Sequence, residues 1–246
     1  MTACWSQRLL FWSLLPFVAP QGLWVRRFAP RFADAAGPDS GVVGNGPTRR
    51  LLAIGDSIVA GVGVPTLEQA LPGRFAASLA RLDGVKVEWH AVGETGAGAV
   101  RLRTRLLARV PPRAFDIILV SVGVNDVTGL IRCATWTGAA GSLLDALRGH
   151  SPQAVVVVAG LPPLWGFPLL PQPLRYVFGV RARTFDELLR RVVAARDRCY
   201  YMATEFEPIP EKFSADGYHP SADSCGVWGE ELATWYVENI LHGENP

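Results

Sequence analysis

The stretch "LLAIGDSIVAGVG", Leu51–Gly63, runs from a string of apolar residues straight into a glycine-rich turn, with a lone serine at the junction. A continuous apolar run bounded by Gly55 is the pattern of a strand buried on both faces, and such strands occur almost only in parallel sheets covered by helices. A serine just past the end of such a strand can cap a helix, cradle a phosphate or attack a carbonyl. The remainder of the chain decides among the three.

Outward from that stretch the chain alternates. Strands are expected at 49–55, 85–92, 115–123, 153–162 and 199–204, and helices at 65–82, 99–110, 136–149, 181–197 and 223–241. Pro72 either starts the main part of the first helix or kinks it. Five βα units make one doubly wound α/β domain over 49–246, and residues 36–48, "AGPDSGVVGNGPT", have the composition of a linker. In such sheets a ligand sits outside the carboxyl ends of the strands. Those ends are Gly55-Asp56-Ser57, Gly93-Glu94-Thr95, Gly123-Val124-Asn125-Asp126, the residues from Leu161 onward, and the loop from Glu205 to His219.

Composition narrows the function classes. With 246 residues, 49% of them apolar, the chain can bury a sizeable core and is not mainly disordered. Its net charge is +2, and its arginines are spread along the expected helices apart from a cluster near the N-terminus. That leaves no concentrated basic face for nucleic acid. Cys4, Cys133, Cys199 and Cys225 form no CxxC pair, so neither a metal site nor a disulfide framework is expected.

The N-terminus is the exception to this globular pattern. Seventeen residues, Leu9–Val25, pass without a charge, short of the roughly 20 of a spanning helix, and Pro16, Pro20 and Gly22 interrupt them. A small-x-small cleavage site appears only at Ala33-Asp34-Ala35, beyond Arg26, Arg27 and Arg31. Tryptophans and phenylalanines inside the run, with arginines after it, suit a segment lying in a membrane interface. Residues 1–35 are therefore expected to associate with a membrane surface through residues 9–25, the alternative being an apolar arm packed on the domain. Were the segment to span, three arginines after it against one before would leave the domain cytoplasmic, with a periplasmic or secreted place as the alternative.

A hydroxyl becomes a good nucleophile when a base takes its proton, and the base works best when a carboxylate orients it. Of four histidines, His90 lies inside a strand, His150 at the opposite edge and His242 in the tail. His219 alone falls in a loop at the carboxyl edge, in "SADGYHPSAD", with Asp216 three residues before it. Ser57, Asp216 and His219 are thus the expected catalytic residues. Three donors converge on the same edge to hold an oxyanion: the N–H of Ser57, the N–H of Gly93 and the side-chain amide of Asn125.

"GDSI" (55–58), Gly93 in "AVGETGAG", "GVND" (123–126) and "DGYHP" (216–220) together resemble, in order and spacing, the four signature blocks of the SGNH hydrolases, or GDSL esterases and lipases. The resemblance covers residues 50–240 and is nearest to bacterial lysophospholipase and acyl-thioesterase members. It implies a flavodoxin-like three-layer α/β/α sandwich with a five-stranded parallel sheet, and hydrolysis of esters or thioesters without metal or cofactor. It makes Ser57 the nucleophile, His219 the base, Asp216 its partner, and Gly93 and Asn125 oxyanion donors. One departure is Ala91, where many members carry an asparagine two residues before the glycine.

Other features read more plainly. Asp56 and Asp126 are expected to buttress turns, His90 to sit as a core residue, and Glu205 and Glu207 to be solvated loop acids. "GETGAG" lacks the ending and spacing of a phosphate loop, and no GxSxG elbow surrounds Ser57. The proline-rich apolar segment 160–179 after the fourth strand is expected to wall an acyl pocket, with Leu161, Leu164 and Trp165 as substrate-binding residues. The expected substrates are fatty-acyl esters or thioesters such as lysophospholipids. A small-acyl or carbohydrate O-acetyl esterase is the alternative within the class, and a non-catalytic lipid-binding module the alternative outside it.

Overall fold

The computed structural model of the chain describes residues 2–204 and 209–242, the first four of these by backbone alone. Glu205 and Glu207 lie outside the described residues. Strands form at β1 (Ser40–Val43), β2 (Thr48–Gly55), β3 (Lys86–Gly93), β4 (Ile117–Ser121), β5 (Val155–Ala159) and β6 (Cys199–Met202). The main helices are α1 (Thr2–Phe28), α2 (Leu71–Asp83), α3 (Ala99–Thr104), α4 (Val124–Thr128), α5 (Cys133–His150), α6 (Leu174–Ala194) and α7 (Ala222–Tyr236).

The sheet order is β1-β3-β2-β4-β5-β6, with β2 to β6 all parallel and β1 antiparallel at the edge. The α/β sandwich and its five parallel strands agree with expectation; the sixth strand does not. Part of the segment read as a linker pairs with β3, Ser40 opposite His90 and Val43 opposite Val87. Gly41 makes this close approach feasible, because a Cβ there would stand 2.7 Å from the Trp89 indole nitrogen.

Alternation along the central strands explains the three layers. Leu52, Ile54, Ile118, Val120, Val156 and Val158 point into a core shared with α3, α5 and α6. Leu51, Ala53, Ile117, Leu119, Val155 and Val157 point the other way, under α2 and α7. Every one of these side chains is buried, as parallel strands with helices on both faces require. Pro72 stands in the first turn of α2, where its missing N–H costs nothing.

The N-terminal segment is one helix, α1, despite Pro16 and Pro20. Both prolines face solvent, so water can reach the carbonyls they leave without helix partners. Phe11, Val18 and Val25, spaced by sevens, bury one stripe of α1 against α6. Among the described residues no helix is long and apolar enough to cross a membrane.

Candidate active site

Ser57 follows β2 directly, in a turn tied down by its neighbour. The Asp56 N–H donates to Ser121 O (3.2 Å), and the N–H groups of Val59 and Ala60 donate to Asp56 O (3.1 and 3.0 Å). The Asp56 carboxylate in turn accepts from the Ile58 N–H at 3.1 Å. Gly93 ends β3 opposite Gly55. The turn after Ser57 lies flat on it: a Cβ at position 93 would fall 2.2 Å from the Ala60 nitrogen. Glycine there lets the ends of two strands and the serine turn meet.

His219 comes from a compact turn before α7. The Ser214 N–H donates to His219 O at 2.8 Å and the Gly217 N–H to Ser214 O at 2.9 Å. This places His219 Nε2 2.9 Å from Ser57 Oγ and Nδ1 2.6 Å from Asp216 Oδ2. Asp216 is almost wholly buried, and its other oxygen accepts from Ser214 Oγ (2.8 Å), Tyr218 N (2.8 Å) and His219 N (2.9 Å). Burial alone would raise its pKa. The hydrogen bonds, that of the His219 ring foremost, outweigh it and hold the carboxyl down to about 2. The structure thus joins Ser57, His219 and Asp216 in one hydrogen-bonded chain.

Asn125 sits in α4, the short helix after β4. Its amide nitrogen donates to Ala97 O at 3.1 Å and lies 3.5 Å from Asp56 Oδ2. Asp126, the next residue, accepts from the Ala99 N–H at 3.0 Å and so caps the start of α3. Both aspartates do buttress turns. Asp56 does more than expected, because its second oxygen reaches toward the asparagine amide. Burial, the dominant cause, pushes the pKa of each to about 6.

Beside Ser57 lies an apolar slot walled by Ile58, Val124, Pro162, Phe167, Phe213 and Trp228. Its free volume is about 40 Å³. The ring of Phe167 stands edge-on to Phe213 and Tyr218, each at 5.2 Å between centroids. The loop after β5 lines the slot through Pro162 and Phe167. Leu164 is fully buried in the core, Leu161 is buried against Gly123, and Trp165 packs its Cβ over Gly179 and is exposed. Proline stiffens this loop and turns Pro162 and Phe167 inward, which leucine and tryptophan counting does not reveal.

The other histidines stay outside this chain. His90, partly buried with its pKa lowered by burial, is 3.9 Å from Asp39, and His150 bonds Ser151 Oγ and Pro111 O at 3.0 Å each. Cys133, Cys199 and Cys225 are free thiols. Among the described residues no cluster of histidine, cysteine and carboxylate side chains could hold a metal.

Residues 53–224 match the model of the GDSL-like lipase/acylhydrolase family. The chain belongs to that family. No curated protein matches it. Among solved structures, TesA is 20% identical over 78% of this chain and 100% of its own, with a TM-score of 0.61. An extracellular lipase from Streptomyces rimosus is 17% identical over 76% of this chain and 98% of its own, with a TM-score of 0.57. Est24, a carbohydrate acetylesterase from Sinorhizobium meliloti, is 20% identical over 78% and 100%, with a TM-score of 0.54. At these identities the neighbours show a shared fold, that of the SGNH hydrolases. Together with the family match they make this GDSL-family chain an ester hydrolase.

Proposed function

We propose that the chain cleaves carboxylic esters or thioesters carrying an apolar acyl group, through an acyl-enzyme on Ser57. The observation that carries this reading is the hydrogen-bonded chain from Ser57 Oγ through His219 to Asp216, opening on an apolar slot. Ser57 Oγ attacks the carbonyl carbon while His219 Nε2 takes its proton. Asp216, held ionised, fixes the tautomer with Nδ1–H toward itself and stabilises the imidazolium that forms. The N–H groups of Ser57 and Gly93 and the Asn125 amide hold the tetrahedral oxyanion. The Asn125 amide has two hydrogens; one is engaged by Ala97 O, and the long 3.5 Å approach to Asp56 leaves the other able to turn to the oxyanion. His219 then gives its proton to the leaving alkoxide or thiolate. Water, deprotonated by the same ring, releases the acid and restores Ser57.

Fatty-acyl substrates such as lysophospholipids are the reading favoured by the aliphatic and aromatic walls. The slot's volume favours a second reading, short-acyl esters: about 40 Å³ is room for roughly three waters. Hydrolysis of p-nitrophenyl esters from acetyl to palmitoyl, wild type beside Ser57→Ala, separates them. A Ser57-dependent rate that rises with chain length supports fatty-acyl substrates, and one confined to acetyl and butyryl supports the short-acyl reading. No Ser57-dependent hydrolysis, together with no labelling by a fluorophosphonate probe, overturns both in favour of a binding module.

A further inference from the structure

Among the described residues, the outer face of α1 gathers several exposed large apolar side chains. Away from its buried stripe the helix leaves Phe17 80%, Leu23 68%, Trp24 59% and Phe28 62% exposed, and Phe32 just beyond it is 41% exposed. Apolar side chains of this size seldom stand together in water without a partner. The first 33 residues contain four arginines and no acid; Asp34 is the first. Arg26, Arg27 and Arg31 are exposed and interleaved with these aromatic residues. Large apolar and aromatic side chains flanked by cations and free of carboxylates match the boundary between lipid tails and anionic headgroups.

The place of this face in the fold adds a second observation. The Gln21 side chain donates to Gln172 O (2.9 Å) and accepts from Leu174 N (3.1 Å), which ties the C-terminal half of α1 to the start of α6. That start follows the loop whose Pro162 and Phe167 wall the slot. Beyond α1 the chain crosses the same sheet edge: Thr95 Oγ1 donates to Asp34 Oδ1 at 2.5 Å and Ala35 N to Ala60 O at 3.0 Å, three residues from Ser57. The exposed strip therefore ends at the catalytic edge of the sheet.

We propose that Phe17, Leu23, Trp24, Phe28 and Phe32, with Arg26, Arg27 and Arg31, dock the protein on an anionic bilayer surface, α1 lying in the interface with its C-terminal end beside the mouth of the slot. Docking leaves the α1–α6 contact intact. It does not depend on the ester chemistry.

The test is sedimentation of the full chain with vesicles of phosphatidylcholine alone and of phosphatidylcholine with phosphatidylglycerol. The variants are Trp24→Ser/Phe28→Ser and Arg26→Gln/Arg27→Gln/Arg31→Gln, and each sample's turnover of soluble p-nitrophenyl butyrate is followed alongside. The expected result is binding to the anionic vesicles that weakens with salt and falls on the order of tenfold or more in either variant. Butyrate turnover stays unchanged in both. Ser57→Ala binds vesicles like wild type, and vesicle binding by a wild type that shows no Ser57-dependent hydrolysis would count against the proposed function alone. No binding by the wild type overturns the docking proposal. So does binding that ignores both lipid charge and the two variants. A dimer in buffer that the Trp24→Ser/Phe28→Ser variant dissociates, with no vesicle binding, assigns the face to a second copy of the chain and overturns the proposal as well.

Discussion

At the scale of single residues, the two buried aspartates around the serine turn behave oppositely to Asp216. Asp216 has its pKa depressed by hydrogen bonds, so its contribution to stability is present above the unfolded value near 3.8 and is lost only as pH falls toward 2. Asp56 and Asp126 are raised to about 6 by burial. Between pH 4 and 6 the folded state holds protons on them that the unfolded chain has released, so stability declines as pH rises through that window and levels off above it. A rise of about 2 pKa units corresponds to at most about 3 kcal/mol for one buried carboxyl. Asp56→Asn removes one of these carboxyls and keeps an acceptor for the Ile58 N–H. Its urea midpoint is therefore expected to change less than wild type between pH 4.5 and 7.5. An unaltered pH dependence in the variant would show that Asp56 does not titrate there. Asp56 also faces the Asn125 amide, so the variant's kcat is expected to fall severalfold with little change in KM.

At the scale of elements, what could be read from the sequence depended on whether local pattern or tertiary contact set each boundary. Strands such as Ile117–Ser121 and Val155–Ala159 are unbroken apolar runs, and Ser57, Gly93, Asn125, Asp216 and His219 stand at turns whose glycines and aspartates mark them locally. Strand β1 was hidden because its pairing rests on Gly41 lying over Trp89, nearly fifty residues away. Helix α6 begins at Leu174, seven residues earlier than its periodicity implies, because Gln21 of α1 accepts from the Leu174 N–H. The helix α4 that carries Asn125 is too short to show a period. It is held from outside by Arg181 of α6, a buried guanidinium whose Nε donates to Val127 O at 3.0 Å and which also bonds Ile131 O. Arg181→Met leaves both carbonyls without this donor, at a cost of about 1–3 kcal/mol each. The variant is expected to unfold at lower urea concentration and to lose kcat. If the loss passes through the α4 turn, Arg181→Met should cost much less kcat in an Asn125→Ala background than in wild type. Full additivity of the two changes would confine Arg181 to a role in stability.

At the scale of the whole molecule, α1 has two faces with different consequences, and they can be separated by paired substitutions. The Phe11 ring is buried, 6.0 Å from the Phe178 ring and 4.7 Å from the Arg181 guanidinium, so it closes the core over the residue that holds α4. Six residues on, Phe17 is 80% exposed. If α1 folds as part of the domain, Phe11→Ala opens a cavity against α6 and costs about 3–5 kcal/mol. Phe17→Ala stays within about 0.5 kcal/mol of wild type, as surface changes do. Urea unfolding in the absence of lipid and detergent, followed both by far-ultraviolet circular dichroism and by tryptophan fluorescence, measures both values. A single coincident transition that shifts for Phe11→Ala alone places α1 within the cooperative unit, so that the proposed docking would use only its outer face. Equal, negligible shifts for both variants would mean that α1 detaches freely from α6. The stripe of Phe11, Val18 and Val25 would then be available to lipid as well, and Arg181 would keep only Phe185 of its aromatic cover whenever the helix left.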